Sequence, residues 1–199
     1  DNPQARLLKQ AVALLTQGGV LAVPTDSSYA LVCHLDDKAA IDRLRQIRGV
    51  DDKHHLTLLC RDLSELANYA RVDNKQFRLL KAATPGPYTF ILEATGEVPR
   101  RLLHPRRKTV GVRVPDNAIT QALLAEFAEP IMSVTLQLPG DDYPLTDPYD
   151  IRTTLEHDVA LVIDGGFCGL EPTTVIDLSA DSYAVLREGL GDISRLALG

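Results

Sequence analysis

The stretch GGVLAVPTDSSYALVCHL (residues 18–35) decides the fold, because it sets a polar break between two apolar runs. Residues 20–23 and 30–35 each have the short apolar pattern of a buried strand. The two predicted strands are joined by PTDSSY, which is too short for the crossover that neighbouring parallel strands require. They are therefore predicted to pair antiparallel.

The polar break itself suits both a turn and a binding site. Pro24 removes a backbone donor and ends the first strand, and Thr25, Asp26, Ser27 and Ser28 then offer hydroxyls and a carboxylate. These residues alone favour a plain Asp/Ser turn between two strands. A binding site is the other interpretation, because small ligands bind at the strand ends of open α/β sheets.

The rest of the chain alternates between helical and strand patterns. Helical spacing predicts a first helix over residues 3–17, and later helices are predicted to begin at acidic caps. These caps are Asp37, Asp62, Asp73, Asp116 and Asp147. Further strands are predicted at 56–60, 88–94, 109–115, 130–138, 159–166, 173–178 and 183–189. The alternation predicts an α/β fold, and the close strand pair within 173–187 makes the predicted sheet mixed.

Length and composition predict one globular domain over residues 1–199. The apolar runs 56–60 and 159–163 predict strands buried on both faces. Hydrophobic residues make up 45% of the chain, and no apolar run approaches the roughly 20 residues of a membrane span. A soluble, cytoplasmic protein without membrane contact is expected. The cysteines have neither zinc-ligand nor disulfide spacing, so no metal site is predicted.

The charge is unevenly distributed along the chain. A formal net charge of -6 argues against wholesale coating by nucleic acid. Residues 98–115 nevertheless contain only basic charges, at Arg100, Arg101, Arg106, Arg107, Lys108 and Arg113. This basic run either contacts phosphate or forms a solvated loop.

Two other stretches offer cations to a ligand. In RGVDDKHH (48–55), Arg48 and Lys53 are suited to phosphate, although a solvated loop explains the same residues. His54 and His55 lack a metal-binding spacing. Arg113 lies within an apolar predicted strand, so it must pair with an acid, emerge at an edge or face a ligand anion.

The run IMSVTLQLPG (131–140) predicts a pocket wall. Ser133, Thr135 and Gln137 alternate along an otherwise apolar strand, which places their side chains on one face. The chain has no GxxxxGK[ST] phosphate loop and no GxGxxG fingerprint. Any nucleotide must therefore be held by an uncommon arrangement.

Taken together and in order, these stretches resemble a known family. PTDSSYAL, IRGVDDKHHL, TPGPYT, TVGVRVP, PIMSVTLQLPG, PTTVIDL and LREG resemble the threonylcarbamoyl-AMP synthase family with its YrdC-like domain, and most closely its YciO-type branch. The resemblance implies a twisted mixed β-sheet flanked by helices, with a concave basic cavity. It also implies that ATP with Mg²⁺, bicarbonate and L-threonine form threonylcarbamoyl-AMP and pyrophosphate for N6-threonylcarbamoyladenosine at tRNA position 37.

The resemblance also assigns roles to individual residues. It implies substrate binding by Thr25, Tyr29, Arg113 and Thr174. It implies nucleotide binding by Arg48, Lys53, Thr135, Gln137 and Arg187, with Arg48 and Lys53 also catalytic.

Three departures from the family pattern predict weak or altered activity. The K-x-R loop of the family is Arg48-Gly49-Val50 here, so the second cation is an apolar residue. The family's S-x-N is replaced by Thr135 and Gln137, and the Gly after the tyrosine of the first motif is Ala30. The alternative function is non-catalytic binding of double-stranded RNA, tRNA or ribosomal RNA. A third alternative is that the family's function has been lost and the basic run is only solvated.

Overall fold

The structure is a computed structural model and describes residues 3–196 and 198. The helices are α1 Pro3–Thr16, α2 Lys38–Arg48, α3 Leu63–Tyr69, α4 Asn74–Ala83, α5 Ala118–Phe127 and α6 Pro148–Leu155. The strands are β1 Leu21–Val23, β2 Ala30–His34, β3 Thr57–Leu59, β4 Tyr88–Glu93, β5 Thr109–Arg113, β6 Ile131–Thr135, β7 Leu161–Val162, β8 Thr174–Asp177 and β9 Ala184–Arg187.

In the described residues, the strands form one mixed, nine-stranded sheet in the order β7-β1-β2-β6-β3-β5-β4-β8-β9. The predicted antiparallel pairing of β1 with β2 is confirmed, with Leu21 opposite Val32 and Val23 opposite Ala30. β8 and β9 also pair antiparallel, whereas β3 with β5 and β4 with β8 are parallel. The predicted α/β fold with a mixed sheet is thus confirmed.

Most of the predicted helix caps are confirmed, since Asp37, Asp62, Asp73 and Asp147 each accept a hydrogen bond from the first turn of a helix. The prediction for α5 is wrong by one residue. Its cap is Asn117, whose side chain accepts from the backbone N–H groups of Ile119 and Thr120. The Asp116 backbone N–H instead donates to the Asp26 carboxylate at 2.9 Å, which joins the start of α5 to the polar break.

The sheet is buried on both faces along its centre. Leu31 belongs to one core cluster and the adjacent Val32 to the other, as expected for neighbouring residues of a strand. The predicted two-face burial of run 56–60 is confirmed for its leucines and cysteine. For 159–163 it is wrong, because β7 is a short edge strand and Leu161 and Val162 are only half-buried.

Helix packing leaves part of one sheet face uncovered. The cluster under α1 and α5 ends with Ile131 on β6 and Leu59 on β3. The next residues on the same face are Ser133 and Thr57, which are paired in the sheet register. Polar and small side chains therefore begin where the helical cover stops.

Cys33, Cys60 and Cys168 are all free, and the first two are buried. None of the helices in the described residues has the length and hydropathy that crossing a bilayer requires.

Candidate functional site

A cavity of about 580 Å³ occupies the uncovered part of the sheet. Its floor runs across the register from Ser133 through Thr57 and Gly111 to Ile91. The loop before β3, the turn before β5 and the strand β9 supply its rim, and no residue of α1–α6 contributes to the lining. The cavity is therefore shaped by strands and their connecting loops.

The polar break forms one end of this cavity. Thr25 Oγ1 accepts from the backbone N–H groups of Ser27 at 3.1 Å and Ser28 at 3.2 Å, and it donates to the Ser28 carbonyl at 2.5 Å. Thr25 is thus the internal support of a tight turn, while Ser27 and Ser28 line the cavity. The two interpretations of this stretch are compatible, because the turn also forms part of the cavity wall.

Arg113 and Asp26 form a buried charge pair beside this turn. The Arg113 Nη2 donates to the Asp26 carboxylate and, at 3.3 Å, to Thr25 Oγ1. Their side chains are only 8% and 10% exposed. Burial lowers the pKa of Arg113, and the Asp26 charge opposes this shift, so the guanidinium stays charged. Arg113 also lines the cavity, and its buried Nε has no partner among the described residues.

Three exposed cations also line the cavity: Lys53, Arg107 and Arg187. Arg187 is held in place because its Nε donates to the Thr173 carbonyl at 2.9 Å and its Nη2 to Thr173 Oγ1 at 3.1 Å. The Thr173 hydroxyl is also 2.8 Å from that of Thr89. Within the described part of the chain, neither Lys53 nor Arg187 has an ion-pair partner, and no carboxylate lines the cavity.

Arg48 and Gln137 do not line the cavity. The Arg48 Nη1 donates to the Gln137 backbone carbonyl at 2.9 Å, and the Gln137 amide donates to the Asp141 carbonyl at 2.7 Å. Burial lowers the pKa of Arg48. The two residues together fasten the end of α2 to the segment after β6. Thr135, which precedes Gln137 by two residues at the end of β6, does line the cavity.

Tyr29 and Thr174 lie behind the cavity wall. The fully buried Tyr29 donates its hydroxyl to the Gly166 carbonyl at 2.7 Å and accepts from the Gly165 N–H at 3.0 Å. Thr174 Oγ1 donates to the Gly191 carbonyl at 2.6 Å and accepts from the Gly189 N–H at 2.9 Å. Both hydroxyls hold neighbouring loops, and Thr173 is the residue of its pair that faces the cavity.

Sequence reasoning gave no ligand role to three histidines that line the cavity: His54, His55 and His104. The rings of His55 and His104 are nearly parallel, with centroids 6.1 Å apart. Burial, followed by the charges of nearby cations, lowers the pKa of His54. The described residues contain no cluster that could hold a metal ion. The available signal was the position of His54 and His55 directly before a buried strand.

A second cavity, of about 640 Å³, lies between α1, α5 and β7. Its walls are mostly aliphatic, with Leu7, Leu8, Ile119, Leu161 and Ile163 among them. Among the described residues, its lining has no side-chain hydroxyl and a single cation, Arg152, together with the carboxylates of Glu156 and Asp164. The polar cavity is therefore the candidate functional site.

The fold and this polar cavity define an α/β protein of the YrdC-like class. A family model named Sua5_yciO_yrdC and described as "Telomere recombination" matches residues 13–189. The chain therefore belongs to the Sua5/YciO/YrdC family.

Within this family, the chain is similar to YciO of Escherichia coli K12, with 55% identity over 97% of this chain and 94% of the relative. Superposition on the crystal structure of E. coli YciO covers 98% of this chain and 95% of the YciO chain, with a TM-score of 0.93. Human threonylcarbamoyl-AMP synthase is 32% identical over 92% of this chain and 67% of its own length. P. abyssi Sua5 complexed with L-threonine gives a TM-score of 0.84 and 26% identity over 92% of this chain and 54% of that chain.

Proposed function

We propose that the protein forms threonylcarbamoyl-AMP and pyrophosphate from ATP, bicarbonate and L-threonine, and that this activity supports N6-threonylcarbamoyladenosine synthesis in tRNA. The observation that carries the proposal is one cavity with exposed cations at its rim and a serine-rich turn with a buried arginine at its end. The similarity to threonylcarbamoyl-AMP synthases and to a threonine-bound Sua5 supports this assignment.

The proposed chemistry needs positioned charges more than a protein nucleophile. The amine of threonine takes up bicarbonate as a carbamate with loss of water, and a carbamate oxygen then attacks the α-phosphorus in line. The bond to the β-phosphate oxygen breaks, and pyrophosphate leaves with that electron pair. Lys53, Arg107 and Arg187 are suited to neutralise the charge that develops on the phosphate chain. Holding both reactants in one cavity lowers the entropic cost of the reaction.

The threonine would bind near the polar break in this proposal. Its polar groups suit Ser27 and Ser28, which line the cavity, whereas Arg113, with its Nε buried and its guanidinium paired with Asp26, would support this end of the cavity. Thr25, Tyr29 and Thr174 would act indirectly, by holding the turn and the loops beside it. For these three residues, the proposed role therefore differs from the direct substrate binding that the family resemblance implied.

Mg²⁺ enters this proposal with ATP. The cavity lining of the described residues offers hydroxyls and cations but no carboxylate, so it suits a phosphate chain better than a bare divalent cation. Mg²⁺ commonly binds through substrate phosphates, where it offsets their charge. Lys53 and Arg187 would then hold the phosphates themselves.

Altered turnover is part of the proposal. Arg48 and Gln137 are occupied with each other outside the cavity, and Val50 brings no charge to replace the family's second cation. Lys53 and Arg187 would therefore carry most of the phosphate contact. We expect slower formation of the adenylate than in a family member with the full K-x-R and S-x-N patterns.

The decisive test is mass spectrometry of the products after incubation with ATP, Mg²⁺, bicarbonate and L-threonine. Threonylcarbamoyl-AMP should appear with the wild-type protein, and it should be absent when threonine is omitted. The variant combining Lys53→Ala and Arg187→Ala should lose the product, whereas Lys9→Ala on the exposed side of α1 should retain it. No product from wild-type protein that still binds ATP would overturn the proposed reaction.

One observation favours RNA binding as a second candidate function. Arg100, Arg101, Arg106, Arg107 and Lys108 are exposed around the turn before β5. Counterion release makes such binding weaken steeply with salt. The variant combining Arg100→Ala and Arg101→Ala should lower the salt dependence of tRNA or double-stranded RNA binding while leaving ATP binding unchanged. An unchanged salt dependence would remove this surface from the candidate function.

A further inference from the structure

One imidazole nitrogen organises the turn before β5. His104 Nδ1 accepts from the backbone N–H groups of Arg106 at 3.2 Å and Arg107 at 3.1 Å. The Lys108 N–H closes the same turn by donating to the His104 carbonyl at 2.9 Å, and the His104 N–H donates to the Thr109 carbonyl at 3.1 Å. The side chain of His104 thus supplies two of the bonds that fold this exposed turn.

These bonds fix the tautomer of His104. A ring nitrogen that accepts two N–H groups carries a lone pair and no proton, so the neutral ring has its proton on Nε2. The ring of His55 lies nearly parallel to it, and the nearby charges of the turn itself are those of Arg106, Arg107 and Lys108. His104 is also one of the residues that line the cavity.

Arg107 depends on this turn for its position. Its side chain is 65% exposed, and its contact with the Asp177 carboxylate is long, at 3.4 Å. The Asp177 side chain is buried, but a contact of this length holds the exposed arginine only weakly. In addition, Lys108 has a left-handed backbone, with φ of 56°, which costs energy in a residue with a Cβ. The two bonds to His104 Nδ1 help to offset that cost.

We propose that His104 is a positioning residue, which acts through its unprotonated Nδ1 to fold the 105–108 turn and hold Arg107 at the cavity rim for contact with ligand phosphate. The ligand part of this inference rests on the proposed function, because it requires that the cavity binds a phosphate chain. The structural part rests on the bonds to His104 alone. Arg107 is the group that would touch the ligand.

The test compares two substitutions at this position. In His104→Asn, the side-chain oxygen lies as many bonds from Cα as Nδ1 and accepts the same kind of N–H bonds. In His104→Ala, this acceptor is lost. Inorganic pyrophosphate is the probe, and its affinity is measured by calorimetry. His104→Ala should bind about five- to tenfold more weakly, as for partial loss of one charge-assisted contact, whereas His104→Asn should stay within about twofold of wild type.

A double-mutant cycle with Arg107→Ala tests whether His104 acts through Arg107. Removing Arg107 should weaken pyrophosphate binding in the wild-type background but have less than about a twofold effect in the His104→Ala background. Additive losses would overturn the proposal, because they would mean that the two residues act independently. Equal losses in His104→Asn and His104→Ala would also overturn it, since the acceptor would then be irrelevant.

Two measurements without ligand separate this inference from the proposed function. Long-range ¹H–¹⁵N correlation should show His104 with its proton on Nε2, and the Arg106 and Arg107 amides should exchange slowly in wild type and His104→Asn but quickly in His104→Ala. A proton on Nδ1, or unchanged exchange in His104→Ala, would overturn the role of His104. If wild type failed to bind pyrophosphate while these results held, the proposed function would fail and the turn-folding role would stand.

Discussion

The cavity contains two kinds of positive charge. The buried charge pair of Arg113 and Asp26 is almost inaccessible and its charges compensate each other. The exposed cations Lys53, Arg107 and Arg187 lie at the rim, and within the described residues the long ion pair of Arg107 is the only one that they form. Burying an uncompensated charge is costly, so the pair belongs to the stability of the fold. The exposed cations cost little to leave unpaired in water, and they remain available to an anionic ligand.

The largest effect should come from breaking the buried pair. Asp26→Ala would leave the Arg113 guanidinium buried without its carboxylate, and it would also remove the acceptor of the Asp116 N–H. Loss of one partner from a buried pair typically costs about 3–5 kcal/mol. We expect the free energy of unfolding, measured with urea, to fall by about that amount.

The matched control is Arg107→Ala, which removes an exposed cation from the same cavity. Its unfolding free energy should fall by about 1 kcal/mol or less, since Arg107 is exposed and its contact with the buried Asp177 carboxylate is long, at 3.4 Å. A small effect of Asp26→Ala, comparable to that of Arg107→Ala, would contradict the distinction between the two kinds of charge.

The second prediction separates cavity shape from charge. A methyl group added by Gly111→Ala would meet Thr89 Cγ2 at 3.5 Å and both the Leu56 carbonyl and Thr57 Oγ1 at 3.6 Å, which are ordinary contacts. The fold should tolerate it, but the methyl would occupy the cavity floor two residues before Arg113. Overfilling by one methyl costs about 1–3 kcal/mol, or roughly five- to 150-fold in ATP affinity.

Thermal protection by ATP measures this loss, with Gly96→Ala as the control. A Cβ at Gly96 would meet no atom within 4 Å, and Gly96 lies outside the polar cavity. Wild-type ATP affinity in Gly111→Ala would mean that the ligand does not reach the floor.

The third prediction concerns an exposed cation alone. Lys53→Ala should weaken ATP binding about tenfold, as for loss of one charge-assisted phosphate contact, with no measurable change in unfolding free energy. The affinity should also become less dependent on salt. Lys9→Ala on α1 has the same net charge change at another exposed site, so it controls for overall charge. Equal effects of the two variants would argue against a direct contact of Lys53.

The sequence predicted the local features of this cavity better than their assembly. Antiparallel pairing around PTDSSY follows from the short connection, and the alternation of Ser133 and Thr135 follows from strand geometry. The pairing of Arg113 with Asp26 joins residues 87 positions apart, so the sequence left an ion pair, an edge position and a ligand contact as alternatives. The alternation also continued to Gln137, but β6 ends at Thr135, and Gln137 turns away from the cavity.

Strand burial shows a related limit. Apolar composition predicted the same two-face burial for 56–60 and 159–163, but sheet order places β3 near the centre and β7 at the edge. Sheet order depends on long-range pairing, which a single apolar run does not encode. The position of His104 at the cavity was hidden for a similar reason, since the cavity is assembled from strands and loops that are far apart in the sequence.

The smallest predicted effect is a pH dependence of phosphate binding through His54. Burial, then Arg48, His55 and Arg45, lower the pKa of His54 from its ordinary value of 6.5, so the free protein holds it neutral at pH 7. A bound phosphate chain would oppose those cations and raise this pKa, which couples binding to proton uptake. Affinity for pyrophosphate should therefore rise by about threefold as pH falls from 7 to 6, less than the roughly tenfold limit for one full proton.

His54→Asn should remove this pH dependence. The control His157→Asn, at an exposed position just after α6, should leave the pH dependence unchanged. Without ligand the sign is opposite, because the unfolded chain protonates His54 first and the free energy of unfolding falls as pH drops below about 6.5. Calorimetry in buffers of different ionisation enthalpy would count the protons taken up on binding. If proton uptake persists in His54→Asn, another group takes up the proton. His54 would then contribute to the stability of the fold, like the buried pair, and not to ligand binding, like the exposed cations.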